Sequence, residues 1–352
     1  ASVIESLVSD GSVAGGQLAI GEGDGPLSIR SFGVCSVKNK AAVTAKTRFC
    51  IGSCSKMFAA AVVVSLASEE HVDLDVAVDR WLTHFARPRL VSGVAAKRAP
   101  TLRELLSHRG GVYSQRSELT PRQSHWIRDF TLPLDEAVNG IVAEPLSSHP
   151  GQTYAYSGAG YCVVGQVCAV AAEHSFDELL AVHVAQPLKM DRTSYFPGLV
   201  DQNIAVGHTY QNGQLVVDQR TPHLLGKRHQ LPLIGGSLYA PAQEVAEFAR
   251  MLLNRGKWRG RQVLSPSEWT AMTTSHTPRS GGGYGLGLSI TDDPATGDMQ
   301  LLSHGGALYG SFSFMAVDLV TRRFGVVTFT GRRVNRIRDS LKRWVRSAED
   351  DR

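Results

Sequence analysis

The sequence predicts an α+β fold: one antiparallel sheet assembled from both ends of the chain, covered by terminal helices, with a helical subdomain beside it. Three observations predict it. Strand-like alternation appears near the N-terminus and returns after residue 280. Apolar stripes at helical spacing close both ends of the chain, and the stretch between them carries helix start signals. Residues 1–70 and 230–352 are expected to form the sheet-containing α/β subdomain and residues 71–229 the mostly helical one, with the functional site in the seam.

Val3, Ile4, Leu7 and Val8 form the first helical stripe. The segments Gln17–Ile20 and Ser28–Val37 then alternate as strands, joined by the turn-forming run Gly21-Glu22-Gly23-Asp24-Gly25-Pro26. From Ser53 onward Met57, Phe58, three alanines, three valines and Leu66 run without Gly or Pro, which predicts a buried helix. Thr101-Leu102-Arg103-Glu104 and Ser175-Phe176-Asp177-Glu178 are capping boxes, and Gly110-Gly111 closes the first of these helices. A Gly-rich loop at 151–160 leads into a helix expected over Cys162–Ala172. Pro241 opens a helix with Val245, Phe248, Ala249 and Leu252 on one face, and Ser265-Pro266-Ser267-Glu268 starts the next. Strands are expected at Tyr284–Ile290, Gln300–His304, Phe312–Val317 and Phe324–Thr330. A last helix follows, with Val334, Ile337, Leu341, Trp344 and Val345 as its stripe.

Composition narrows the function. With 352 residues, 43% hydrophobic and 20% charged, the chain can bury a large core. Its net charge of +5 is scattered or gathered on the last helix, where a solvated face explains it, and no DNA or RNA recognition motif is present. No apolar run is long enough for a membrane span, and the N-terminus lacks the pattern of a signal peptide. Five cysteines without a C-x-x-C pair argue against a zinc site or a disulfide framework. None of the twelve histidines sits in H-E-x-x-H, so neither metal nor cofactor is expected.

The chemistry is read from Ser53-Cys54-Ser55-Lys56. Residues three apart share a helix face, so the Lys56 amine lies beside the Ser53 hydroxyl, and Lys56 is the only lysine with a serine three positions before it. A serine becomes nucleophilic when a neighbouring base takes its proton. Burial and the helix dipole both favour the neutral amine that such a base requires. Tyr156, in Tyr154-Ala155-Tyr156-Ser157-Gly158, can shuttle a proton to a leaving group. The segment Ser303-His304-Gly305-Gly306-Ala307, at the end of an expected strand, offers a close backbone approach and an oxyanion donor.

In this order the three segments resemble the S-x-x-K, Y-x-N and K-T-G or H-x-G motifs of the class C β-lactamase-like serine hydrolases. That family includes D-alanyl-D-alanine peptidases, D-amino-acid amidohydrolases and esterases. Further likeness runs through Thr101–Val112, Tyr156–Gly165, Pro187–Met190, Gly235–Leu238 and Tyr284–Gly287. The resemblance implies a β-lactamase/transpeptidase-like fold, with Ser53 as acylated nucleophile, Lys56 as base and Tyr156 as proton shuttle. It further implies the amides of Ser53 and Ala307 as oxyanion hole, and His304, Gly305, Gly306 and Gly158 as substrate-binding positions. A small ester, amide or lactam is the implied substrate, and a periplasmic or secreted location is implied with it. Gly158 stands where the motif has asparagine and His304 where many members have lysine. Both departures lean toward esters. A β-lactamase or a DD-carboxypeptidase is the alternative reading, and a binding or scaffold protein that keeps the fold is the alternative of another class.

Overall fold

In the computed structural model, which describes residues 1–198, 203–277 and 280–347, the centre is a seven-stranded antiparallel sheet. Helix α1 (Ser2–Ser9) leads into the hairpin β1 (Val13–Glu22) and β2 (Ser28–Gly33). After the buried helix α2 (Ser55–Ser68), the helices that matter for the site are α3 (Leu102–Leu106), α4 (Gly158–Ala172) and α5 (Ala242–Leu253). The sheet is then completed by β3 (Gly282–Tyr284), β4 (Ser289–Asp292), β5 (Met299–Leu308), β6 (Ser311–Asp318) and β7 (Arg323–Gly331). Helix α6 (Asn335–Arg346) ends the fold. The order β2-β1-β7-β6-β5-β4-β3 places the N-terminal hairpin beside the last strand, so both ends of the chain build one sheet.

Alternation along the strands gives the sheet two apolar faces. Phe314, Ala316, Val327 and Phe329 pack with Ile4 and Leu7 of α1 and with Ile337, Leu341 and Val345 of α6. Met315, Val317, Phe324 and Val326 point the other way, into the larger core that holds Phe248 of α5 and nearly all of α2. Helix α2 is buried from Ser55 to Leu66. This explains its even coat of apolar side chains: it is packed on every side rather than on one stripe. Its entry is therefore held rigidly.

The capping boxes at Thr101 and Ser175 are present. Three segments depart from expectation. Strand β2 stops at Gly33, whose φ of +64° turns the chain out of the sheet, so the segment from Val34 does not continue it. The segment expected as one strand over Tyr284–Ile290 is two strands; between them Gly285 N–H donates to Leu288 O and Leu286 N–H to Met272 O, and Gly287 lies against the Lys56 carbonyl. Third, β5 does not end at His304 but continues to Leu308, so His304, Gly305 and Gly306 lie within the strand. No helix among the described residues is long and apolar enough to cross a membrane.

Candidate active site

Ser53 sits on a tight turn, Gly52–Cys54, that feeds directly into α2. The turn is pressed against the outer edge of β5. Strand β4 pairs with β5 only between Met299 and Ser303, which leaves the edge from His304 to Leu308 without a strand partner on that side. The Gly52 turn occupies part of this edge. A Cβ on Gly52, whose φ is +52°, would lie 2.3 Å from the Ala307 nitrogen, and one on Gly306 would lie 2.0 Å from Ile51 O. Only glycine on both sides permits this approach, which is the physical content of the paired glycines. Cys54 and Ser313 fasten the contact: Cys54 Sγ donates to His304 O at 3.2 Å and Ser313 Oγ donates to Ile51 O at 2.6 Å. Burial pushes the Cys54 thiol up to about 12, so it stays protonated and serves as packing.

Lys56, the second residue of α2, is 1% exposed. Its Nζ donates to Gly235 O at 2.6 Å and to Ser53 Oγ at 3.4 Å. Burial in this enclosure lowers its pKa to about 7, so a large fraction of the amine is neutral near neutral pH. The Tyr156 phenol interacts with the Ser53 side chain, and the Lys56 Nζ lies 4.8 Å from the Tyr156 ring centre. Burial raises the Tyr156 phenol above its ordinary value, so the hydroxyl holds its proton in the resting site. Hydroxyl, amine and phenol thus converge from two parts of the chain about a hundred residues apart.

His304 is held differently from an anion-binding cation. Its Nδ1 lies 2.8 Å from Gly305 O, an acceptor only, so Nδ1 carries the proton. Its Nε2 lies 2.9 Å from the Tyr284 hydroxyl, which in turn lies 3.3 Å from His108 Nε2. At the far end His108 Nδ1 accepts the Ser157 N–H at 3.0 Å. The direction of the relay follows: His108 donates to Tyr284, and Tyr284 donates to His304. Both imidazoles are neutral in this arrangement, and burial lowers His304 to about 3 and His108 well below its ordinary value. His304 therefore fixes the strand corner and presents no charge to a substrate.

Gly158 is the first residue of α4, one turn earlier than the expected start at Cys162. Ser157 is the cap, its Oγ accepting from Gly160 N–H at 2.9 Å. The Gly158 N–H, an end group without an intrahelical partner, donates to Gln115 Oε1 at 2.5 Å. A Cβ at Gly158 would lie 3.0 Å from Gln115 Nε2. The carboxamide missing from the third motif position is thus replaced in space by one from another loop. Nothing in the sequence pairs residues 115 and 158, which are brought together only by the packing of α3 and α4. Arg116 likewise lies outside the three sequence motifs, and its guanidinium carbon lies 4.4 Å from the Tyr156 ring centre.

These groups line a cleft of about 590 Å³, whose walls include Ser53, Gln115, Arg116, Tyr156, His304 and Ala307. Phe312, Phe314 and Phe329 add an apolar stretch, and Arg333 and Arg338, expected on a solvated helix face, reach its rim. All five cysteines are free and buried, and among the described residues no cluster of three or more His, Cys, Asp or Glu is placed to hold a metal ion.

A family model described as Beta-lactamase matches residues 1–350. Penicillin-binding protein 4 of Amycolatopsis lactamdurans is 26% identical over 330 residues, spanning 89% of this chain and 80% of that protein. Among solved structures, EstCE1, a hydrolase with promiscuous acyltransferase activity, superposes with a TM-score of 0.78 at 22% identity, over 93% of this chain and 91% of that one. D-amino acid amidase from Ochrobactrum anthropi SV3 superposes with a TM-score of 0.69 at 21% identity, over 94% and 89% of the two chains.

Proposed function

The chain belongs to the beta-lactamase family, and from that premise we propose that it hydrolyses a small ester or amide through an acyl intermediate on Ser53. The observation that carries the proposal is the convergence beside one hydroxyl of a buried amine, 3.4 Å from it with a pKa lowered to about 7, and a phenol that lines the same cleft and interacts with the same side chain. In this reading Lys56 takes the Ser53 proton as Oγ attacks the carbonyl carbon. The amides of Ser53 and Ala307 hold the resulting oxyanion, the first at the start of α2 and the second on the open edge of β5. Tyr156 delivers a proton to the departing alcohol or amine. Water then repeats the attack on the acyl-serine, and the carboxylic acid leaves.

Two features favour esters with a compact acyl group. The wall of Phe312, Phe314 and Phe329 suits an apolar group, and the neutral His304 gives no cationic anchor at the strand corner. Turnover of p-nitrophenyl acetate and butyrate tests the proposal. Ser53→Ala is expected to abolish it, and Tyr156→Phe to lower kcat at least about a hundredfold. Wild-type rates in Ser53→Ala would refute the proposal. A fully active Tyr156→Phe would remove the phenol from it.

A further inference from the structure

Tyr113, Ser114, Gln115 and Arg116 are laced to Tyr156-Ser157-Gly158 residue by residue. Ser157 Oγ donates to Tyr113 O at 2.7 Å, and Ser114 Oγ donates to Tyr156 O at 2.6 Å. Gly158 N–H is bound by Gln115 Oε1, and Arg116 lies over the Tyr156 ring. The segment is thereby fixed against Tyr156, which shares the cleft with Ser53.

The donors left over point to a ligand. With its oxygen already accepting the Gly158 N–H, the Gln115 carboxamide has an NH2 without a hydrogen-bond partner among the described residues to offer the cleft. The adjacent Arg116 guanidinium has hydrogen-bond donors only, set in a planar fork. It is exposed and has no carboxylate partner among the described residues, unlike Arg338, which pairs with Asp339. Arg116 also lines a second cavity of about 720 Å³, with Arg109, Tyr154, His276 and Tyr284, and so stands where the two spaces meet. Among the described residues, neither cavity is lined by an Asp or Glu. A planar fork beside an amide NH2, in a cleft without acids, matches the two oxygens of a carboxylate.

We propose that Gln115 and Arg116 form a subsite for a carboxylate carried by the substrate a few atoms from the scissile carbonyl. The inference rests on the acyl-serine reading for its place in a reaction, but the binding itself does not require turnover. One phenol ring separates the Arg116 guanidinium from Ser53, so the bound carboxylate lies on the tyrosine side of the cleft, away from the His304 corner.

Two readouts test it. The first is kcat/KM for the mono-p-nitrophenyl ester of glutaric acid against the same ester with its free carboxylate methylated, corrected for enzyme-free hydrolysis. The ratio within one variant cancels any loss common to both substrates. Wild-type protein is expected to favour the carboxylate at least about tenfold. Arg116→Ala is expected to bring the ratio to about one, Arg116→Lys to keep part of it, and Gln115→Ala to lower it several-fold. The second is calorimetric binding of monomethyl glutarate to Ser53→Ala, which needs no chemistry and is expected to vanish on adding Arg116→Ala. Equal turnover of both esters by the wild type, or a ratio unchanged in Arg116→Ala, overturns the subsite and leaves the hydrolase standing. Arg116-dependent binding without hydrolysis of either ester keeps the subsite and overturns the hydrolase. Neither binding nor turnover overturns both.

Discussion

Replacing Lys56 by alanine is expected to lower kcat/KM at least about a thousandfold, because it removes the buried amine that lies 3.4 Å from the Ser53 hydroxyl and takes away the base proposed for it. Arginine at this position should not rescue activity, since a guanidinium does not give up its proton. The wild-type pH profile carries the same claim. The amine acts as base only when neutral and its pKa is lowered to about 7 by burial. Activity should therefore fall about tenfold per pH unit below pH 7 and level off above it. His304 cannot produce that limb, because burial lowers it to about 3. Linkage gives an independent readout. The unfolded chain holds the Lys56 proton up to the ordinary lysine value of 10.5, whereas the folded chain releases it at about 7. The unfolded state therefore binds more protons between these values, and this residue makes stability rise with pH across that window. Lys56→Met, which keeps the volume and removes the charge, should raise Tm at pH 6 while abolishing turnover. A profile flat from pH 5 to 9, or an active Lys56→Ala enzyme, would exclude lysine as the base.

Gly52→Ala is the second large effect, and it acts through the backbone. The φ of +52° is unfavourable for alanine, and the new Cβ would stand 2.3 Å from the Ala307 nitrogen, well inside contact distance. The turn and the strand must part by about an ångström, which costs on the order of 1–3 kcal/mol of stability. The same movement separates the two amides proposed to share the oxyanion. The expected result is a loss of about a hundredfold in kcat with a smaller change in KM, alongside a lowered urea midpoint. Unchanged kcat would show that the Ser53 and Ala307 amides do not act together.

Much of the fold was legible because its signals are local. The stripes of α1 and α6, the capping boxes and the alternation in β6 and β7 each depend on residues within a few positions of one another. The expected strand over Tyr284–Ile290 failed because Gly285 and Gly287 make contacts far away in sequence, with Met272 and the Lys56 carbonyl. The expected end of β5 at His304 fails similarly: the strand runs on through both glycines, and the close backbone approach expected there is that of the Gly52 turn against an uninterrupted strand. Spacing alone put Lys56 beside Ser53, since both lie within one helical turn. It could not find Gln115 or Arg116, whose place depends on α3 and α4 packing against each other. The neutrality of His304 was likewise out of reach, because it follows from Tyr284 and His108, which lie 20 and 196 positions earlier in the numbering.

That Ser53 becomes covalently acylated is tested most directly by intact-mass measurement on protein mixed with a p-nitrophenyl ester and quenched in acid within milliseconds, followed by peptide mapping. The account predicts a mass increase equal to one acyl group, mapped to Ser53, that decays as the free acid appears and is absent from Ser53→Ala. Rapid hydrolysis by a wild-type protein that never carries an acyl group, or an acyl group mapped to any other residue, would contradict it.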